Sequence, residues 1–138
     1  MRIAAMNFLA RREHSRHELL DKLSGRFDPQ ALEPILDALQ RDGLQSDLRF
    51  AEAFVRHRAQ RGSGPLKIRQ ELRQRGVADD HVAQGFDGND INWLDVIAGV
   101  VRKKYGTVPA IEIKDIARRQ RFLQYRGFSA DQIREVLD

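Results

Sequence analysis

The sequence predicts an all-α chain of three tandem three-helix, helix-turn-helix-like repeats forming an elongated, curved molecule. Three observations carry that expectation: dense helix-capping signals, weak strand alternation, and an internal repeat of fifty to fifty-one residues.

Taken in order, the opening "MRIAAMNFLARREH" is amphipathic, and Glu13 leads straight into periodic sequence. That favours a first helix over a targeting segment, which would end at a small-residue cleavage site. "SRHE", Ser15 to Glu18, is a capping box: the serine hydroxyl accepts from an early helix amide and the glutamate reaches back. Asp28 before Pro29 pairs a cap oxygen with a ring whose fixed φ suits the first helical position. Asp47 is expected to cap "LRFAEAFVRHRAQR", with Leu48, Ala51, Phe54 and Val55 on its apolar side. "TVPAIEI", Thr107 to Ile113, has an extended look, but Pro109 favours a loop or a short edge segment. "SADQ", Ser129 to Gln132, repeats the capping box. Tight hairpin dipeptides between apolar runs are absent.

The repeat aligns Phe27, Val77 and Phe128 as anchors. Five residues beyond them stand Leu32, Val82 and Ile133, and nine beyond stand Leu36, Phe86 and Leu137. Leu23, Leu72 and Leu123 precede the anchors by four, five and five residues, so the first copy differs by one. Gly76 and Gly127 sit just before their anchors, where a helix end commonly turns left-handed. Each unit reads as helix, basic helix, glycine turn and short acidic-capped helix, a pattern that buries its faces by stacking on neighbours. The expected modules are residues 1–46, 47–90 and 91–138, with junctions at "DGLQS" (Asp42 to Ser46) and "DGND" (Asp87 to Asp90). Phe54, Ile68, Leu72, Phe122 and Leu123 are expected in the core.

The absence of cysteine removes disulfides and thiolate metal sites and fits a reducing cytoplasm. No apolar run reaches the roughly 18 residues of a membrane span. The net charge of +4 conceals zones: 47–76 carries +5, 102–126 carries +6, and 77–101 holds five aspartates and no base. Two basic zones point to a polyanionic surface as partner.

Catalytic signals are missing. His14 and His17 lack a third ligand and are expected to face solvent at a helix start. His57 and His81 are isolated, no serine lies in a nucleophile elbow, and no carboxylate pair is set apart for acid–base work. Catalytic residues, metals and cofactors are therefore all expected to be none. "RGSGPLKIRQEL", Arg61 to Leu72, has the glycines and lysine of a phosphate loop at the wrong spacing, and Pro65 removes an amide donor. It reads instead as a helix end at Gly62 or Gly64, with Pro65 opening the next helix and Ile68 and Leu72 as its buried stripe. Opposite that stripe, Lys67, Arg69 and Arg73 should face outward, and Arg49, Arg56, Arg58 and Arg61 should line the preceding helix. Guanidinium forks in such a ridge suit phosphates or carboxylates.

These residues carry a resemblance. "SDLRFAEAFVRHRAQRGSGPLKIRQELRQRGV", Ser46 to Val77, resembles the central signature of the RecX regulatory family, whose members modulate the RecA recombinase. "RKKYG" (Arg102 to Gly106) with "RRQRFLQYRGFSADQIREVL" (Arg118 to Leu137) is similar to the family's C-terminal signature, and "SRHELLDKL" (Ser15 to Leu23) to its N-terminal one. Ser46 stands where the family usually carries a second aspartate, and the charged extension of many members before the first helix has no counterpart here. The resemblance implies a non-enzymatic, cytoplasmic protein that binds the RecA filament on single-stranded DNA and restrains strand exchange, ATP hydrolysis and repressor cleavage. It implies a monomer without membrane association, and direct single- or double-stranded DNA contact is a further expectation. Arg49, Arg56, Arg58, Arg61, Lys67, Arg69 and Arg73 would form one contact set, with Lys103, Lys104, Arg118, Arg119, Arg121 and Arg126 as a second. The rival reading is a basic helix-turn-helix-like nucleic-acid-binding module that acts independently of RecA.

Overall fold

A computed structural model describes residues 1–137. Among them are nine helices and no strand: α1 (Arg2–Arg11), α2 (Arg16–Leu23), α3 (Pro29–Arg41), α4 (Asp47–Gln60), α5 (Pro65–Gln74), α6 (Asp79–Asp87), α7 (Trp93–Tyr105), α8 (Ile113–Arg126) and α9 (Ala130–Leu137). The chain forms two compact units that cut across the middle repeat. The first comprises Met1–Phe54 and Leu72–Asn89, and the second Val55–Glu71 and Asp90–Asp138.

In the first unit α1 packs on α2 and α2 on α3. Their core is Ala5, Leu19, Leu23, Leu32, Leu36 and Leu39, all fully buried. In the second unit α7 and α8 both pack on α9 around Ile97, Val100, Leu123, Phe128 and Ile133. Removing one such leucine or isoleucine side chain from water is worth about 1.5–3 kcal/mol.

The repeat has a hydrogen-bond basis. Each anchor residue donates its backbone N–H to the carbonyl of the leucine before it: Phe27 to Leu23 (3.0 Å), Val77 to Leu72 (3.2 Å) and Phe128 to Leu123 (3.1 Å). In the second and third copies that bond spans five residues and is joined by Gly76 to Arg73 and Gly127 to Gln124, the paired bonds of a Schellman turn. Gly76 and Gly127 adopt φ of 76° and 102°, which a side chain would resist. The first copy has Arg26 there instead, and its anchor closes a tighter four-residue bond. The one-residue difference in leucine spacing is thus a difference in turn type.

The caps follow the sequence with one exchange. Ser15 and Glu18 form a complete capping box on α2, and Asp28 accepts from the Gln30 amide at the start of α3. On α4, Asp47 is not the cap: Ser46 Oγ accepts from the Arg49 amide (3.1 Å), and Asp47 is the first helical residue. Serine and aspartate are near-equivalent caps, so the departure at Ser46 preserves the function. Asp47 Oδ1 is left to accept from the Arg16 amide and from Gln45 Nε2, both at 2.9 Å, which ties the start of α2 to the start of α4. The core of α4 also shifts by one position from expectation. Phe50, Ala51, Val55 and Ala59 are buried, while Leu48 and Phe54 are half-buried. Ile68, Leu72 and Leu123 are fully buried as expected, and Phe122 is half-buried.

Candidate functional site

The joint between α4 and α5 decides what "RGSGPLKIRQEL" does. α4 ends in paired bonds from Gly62 to Ala59 and from Ser63 to Arg58, and Pro65 opens α5. The Gly64 amide donates to the Arg126 carbonyl (2.7 Å), and the Leu66 amide to the Gly127 carbonyl (3.0 Å). The amides that a phosphate loop would aim at a nucleotide are therefore spent on the last carbonyls of α8, and Pro65 has none to offer. Gly64 lies so close to Gly127 that a Cβ on it would overlap the Gly127 carbonyl group. Its role is close approach of two backbones, a requirement the sequence does not display.

This contact joins parts of the two basic zones within the second unit. Lys67 Nζ lies 5.0 Å from the ring centroid of Tyr125, and the Arg126 guanidinium lies against Gly62. Further along, Tyr105 and Phe122 meet edge to face at 6.0 Å. Cations cover them: Lys104 is 4.7 Å and Arg126 5.6 Å from the Phe122 centroid, and Arg119 is 4.5 Å from that of Tyr105. Arg119 also donates to the Val108 carbonyl at 2.8 Å. Such contacts hold a cation in place without neutralising it.

Carboxylate pairing separates the remaining candidates. Arg49 pairs with Glu13 (3.1 Å), Arg73 with Asp79 (3.0 Å), Arg58 with Glu71 (3.7 Å) and Arg118 with Asp115 (3.6 Å). Arg56, Arg61, Lys103 and Arg121 are exposed and have no carboxylate partner among the described residues. Arg69 is exposed as well, whereas Arg58, Lys67, Arg119 and Arg126 are half-buried, so the expected outward ridge is only partly realised. All the candidates except Arg49 and Arg73 lie in the second unit. That unit carries fourteen Lys/Arg against eight Asp/Glu, a net of +6, and the first carries ten against twelve, a net of −2. Exposed pairs such as Arg73–Asp79 are worth about 0–1 kcal/mol, so their cations are weakly held, but each brings a compensating negative charge to the surface.

The histidines give a correction. His17 is exposed and pairs with Asp21, but His14 is buried, not solvent-facing. It packs tilted against Phe8, its Nδ1 lies 3.1 Å from the Arg12 carbonyl, and its Nε2 lies 2.9 Å from Lys22 Nζ. A carbonyl only accepts, so Nδ1 carries the proton and Nε2 accepts from the ammonium. Burial, with the Arg12 and Lys22 charges, outweighs the bond to the Arg12 carbonyl and lowers the pKa of His14. No group of three His, Cys, Asp or Glu able to hold a metal occurs among the described residues. Nor is any of their helices long and apolar enough to cross a membrane.

Sequence reasoning passed over Tyr125. It is 77% exposed and lies off the buried stripe of α8 marked by Leu123. An aromatic outside the apolar period of its helix was the available signal.

Comparison with known proteins agrees with this geometry. Family profiles described as the first, second and third three-helix domains of RecX match residues 2–39, 46–85 and 90–137. The regulatory protein RecX of Halorhodospira halophila is 45% identical over 135 residues, which cover 97% of this chain and 84% of that protein. The regulatory protein RecX of Ectopseudomonas mendocina is 41% identical over 138 residues, covering 99% and 92%. The crystal structure of RecX from Lactobacillus salivarius shares the fold at 23% identity, with a TM-score of 0.80 over 99% of this chain and 91% of that one. With its three successive three-helix domains and close relatives along its whole length, the chain belongs to the RecX family of regulatory proteins.

Proposed function

We propose that this chain binds the RecA filament on single-stranded DNA and restrains its recombinase, ATPase and coprotease activities in DNA repair and the SOS response. It acts in the cytoplasm as a monomer, by binding and without turnover of its own. The observation that carries the reading, beside family membership, is the concentration of unneutralised cations in one unit of net charge +6. A filament of nucleic acid and protein offers phosphates and carboxylates in series, and guanidinium groups bind either in bidentate fashion.

The test is inhibition of RecA ATP hydrolysis on single-stranded DNA. Arg56→Glu combined with Arg69→Glu should weaken inhibition while leaving helicity unchanged, since both residues are exposed. Arg49→Glu with Arg73→Glu should weaken it less, because those two cations lie in the unit of net charge −2. Unaltered inhibition by the first pair would move the contact surface to Lys103, Lys104, Arg118, Arg119, Arg121 and Arg126. The same charge asymmetry would serve a nucleic-acid-binding module acting without RecA. Equal affinity for bare DNA and for the filament across a salt series would favour that second reading.

A further inference from the structure

Beside the α5–α8 joint lies a surface depression of about 340 Å³ lined by Leu66, Lys67, Gln70, Gln124, Tyr125 and Gly127. We propose that it is a subsite for one unpaired base of single-stranded nucleic acid, stacked on Tyr125 with the adjoining phosphate held by Lys67.

Four features of the depression point to that ligand. Tyr125 is 77% exposed, so most of the ring is open although Lys67 Nζ sits 5.0 Å from its centroid. An aromatic face beside a cation is the combination that binds single strands without strong sequence preference, since every base has a π-face. Gln70 and Gln124 each supply an amide able to donate to and accept from a base edge. No carboxylate lines the depression, which lies in the unit of net charge +6, so a phosphate at Lys67 meets no competing anion in its lining. The volume is at the small end of ligand clefts, suited to one base and not to an extended peptide.

The platform is also fixed in place. Gly64 and Leu66 donate to the Arg126 and Gly127 carbonyls, which locks the start of α5, and Lys67 with it, against the end of α8 that carries Tyr125. With both backbones held, only the side-chain rotamers of Tyr125 and Lys67 are left to be ordered on binding.

The inference rests on the reading that the basic unit meets single-stranded DNA, and it is testable without RecA. The full chain is titrated by fluorescence anisotropy against a labelled oligothymidylate, the same strand with abasic sugars, and a duplex, over a salt series. Tyr125→Ala should lower affinity for oligothymidylate about 5- to 100-fold, with an unchanged salt slope, while Tyr125→Phe keeps affinity within about twofold. The abasic strand should bind the unaltered protein and Tyr125→Ala equally. Lys67→Ala should weaken binding to the oligothymidylate and the abasic strand alike and reduce the salt slope by about one. Oligothymidylate binding by Tyr125→Ala within about twofold of the unaltered protein, or equal losses on the abasic strand, would overturn the proposal. So would failure of the unaltered protein to bind oligothymidylate at low salt, an outcome that leaves inhibition of RecA standing. If Tyr125→Ala loses the filament alone, the tyrosine is an anchor on protein and the base subsite is refuted.

Discussion

Gly64→Ala isolates a close approach that lies beyond the helix-to-helix turn the sequence displays. Gly64 does not have a positive φ, so its backbone conformation is open to alanine. Away from any contact the substitution should stabilise by about 0.4–1 kcal/mol through the unfolded chain. The collision decides otherwise. The added Cβ would lie 2.5 Å from the Phe128 nitrogen and closer still to the Gly127 carbonyl carbon and oxygen, all of them backbone atoms that cannot swing aside. Overpacking of that kind costs about 1–3 kcal/mol. Separating the backbones also strains the bonds from Gly64 to Arg126 and from Leu66 to Gly127, worth about 0.5–1.5 kcal/mol each. The expected net loss is about 3 kcal/mol, which should lower the melting temperature by about 10 °C in a chain of this size. Urea denaturation followed by circular dichroism measures it, with Gly25→Ala as the control. Gly25 likewise lacks a positive φ and has nothing within 4 Å of the methyl group that alanine would add, so it should lose nothing. If Gly64→Ala loses no more than Gly25→Ala, the close approach is not what requires glycine there.

Three further outcomes follow from single contacts. Ser15→Ala should cost about 2 kcal/mol in urea unfolding, because the buried hydroxyl both accepts from the Glu18 amide and donates to the Arg75 carbonyl. Gly99→Ala, inside α7 with open space around it, should stabilise by about 0.5–1 kcal/mol, read as a raised urea midpoint. Acid should act in two stages. The native pKa of His14 is lowered, so the unfolded chain binds the extra proton and stability falls as pH drops below 6.5, with no contribution above it. Burial raises the Glu18 carboxyl, but hydrogen bonds from Arg12 and the Ser15 amide outweigh this and hold it below 4.5. Its stabilisation is complete above 4.5 and is lost as pH falls through the native value. Urea midpoints against pH should show both stages, and His14→Gln should remove only the upper one.

Much of the fold was legible because its signals are local. A capping box needs two side chains three residues apart, and both Ser15–Glu18 and Ser129–Gln132 form as read. The repeat was legible because its leucines and anchors meet through one backbone bond, whose span shows directly in the spacing. What stayed hidden depends on partners distant in sequence. Asp47 looked like a cap because its true partner, the Arg16 amide, is 31 residues away. His14 looked exposed because the Phe8 ring and the Lys22 ammonium that cover it lie on two different helices. The basic residues were identifiable by type, but which of them already face a carboxylate is a tertiary property. Arg49 and Glu13 are 36 residues apart.

The two ends of α5 constrain where function can reside in the middle repeat. At its start, the Gly64 and Leu66 amides are taken by Arg126 and Gly127 of the α8 terminus. At its end, the Arg75 carbonyl accepts from Ser15 Oγ, and a Cβ on Gly76 would strike the Cβ of His17 at 2.5 Å. Backbone groups that would otherwise bind an anion or a partner strand are occupied at both termini. Recognition by this helix is therefore left to side chains on its uncovered face, where Arg69 and Gln70 are exposed and Lys67 lies beside Tyr125. Such a division separates stability from binding. Substituting Gly64 or Gly76 should destabilise the fold, whereas substituting the exposed Arg69 or Gln70 should leave the melting temperature within about 1–2 °C, as surface changes usually do, and alter only what the chain holds.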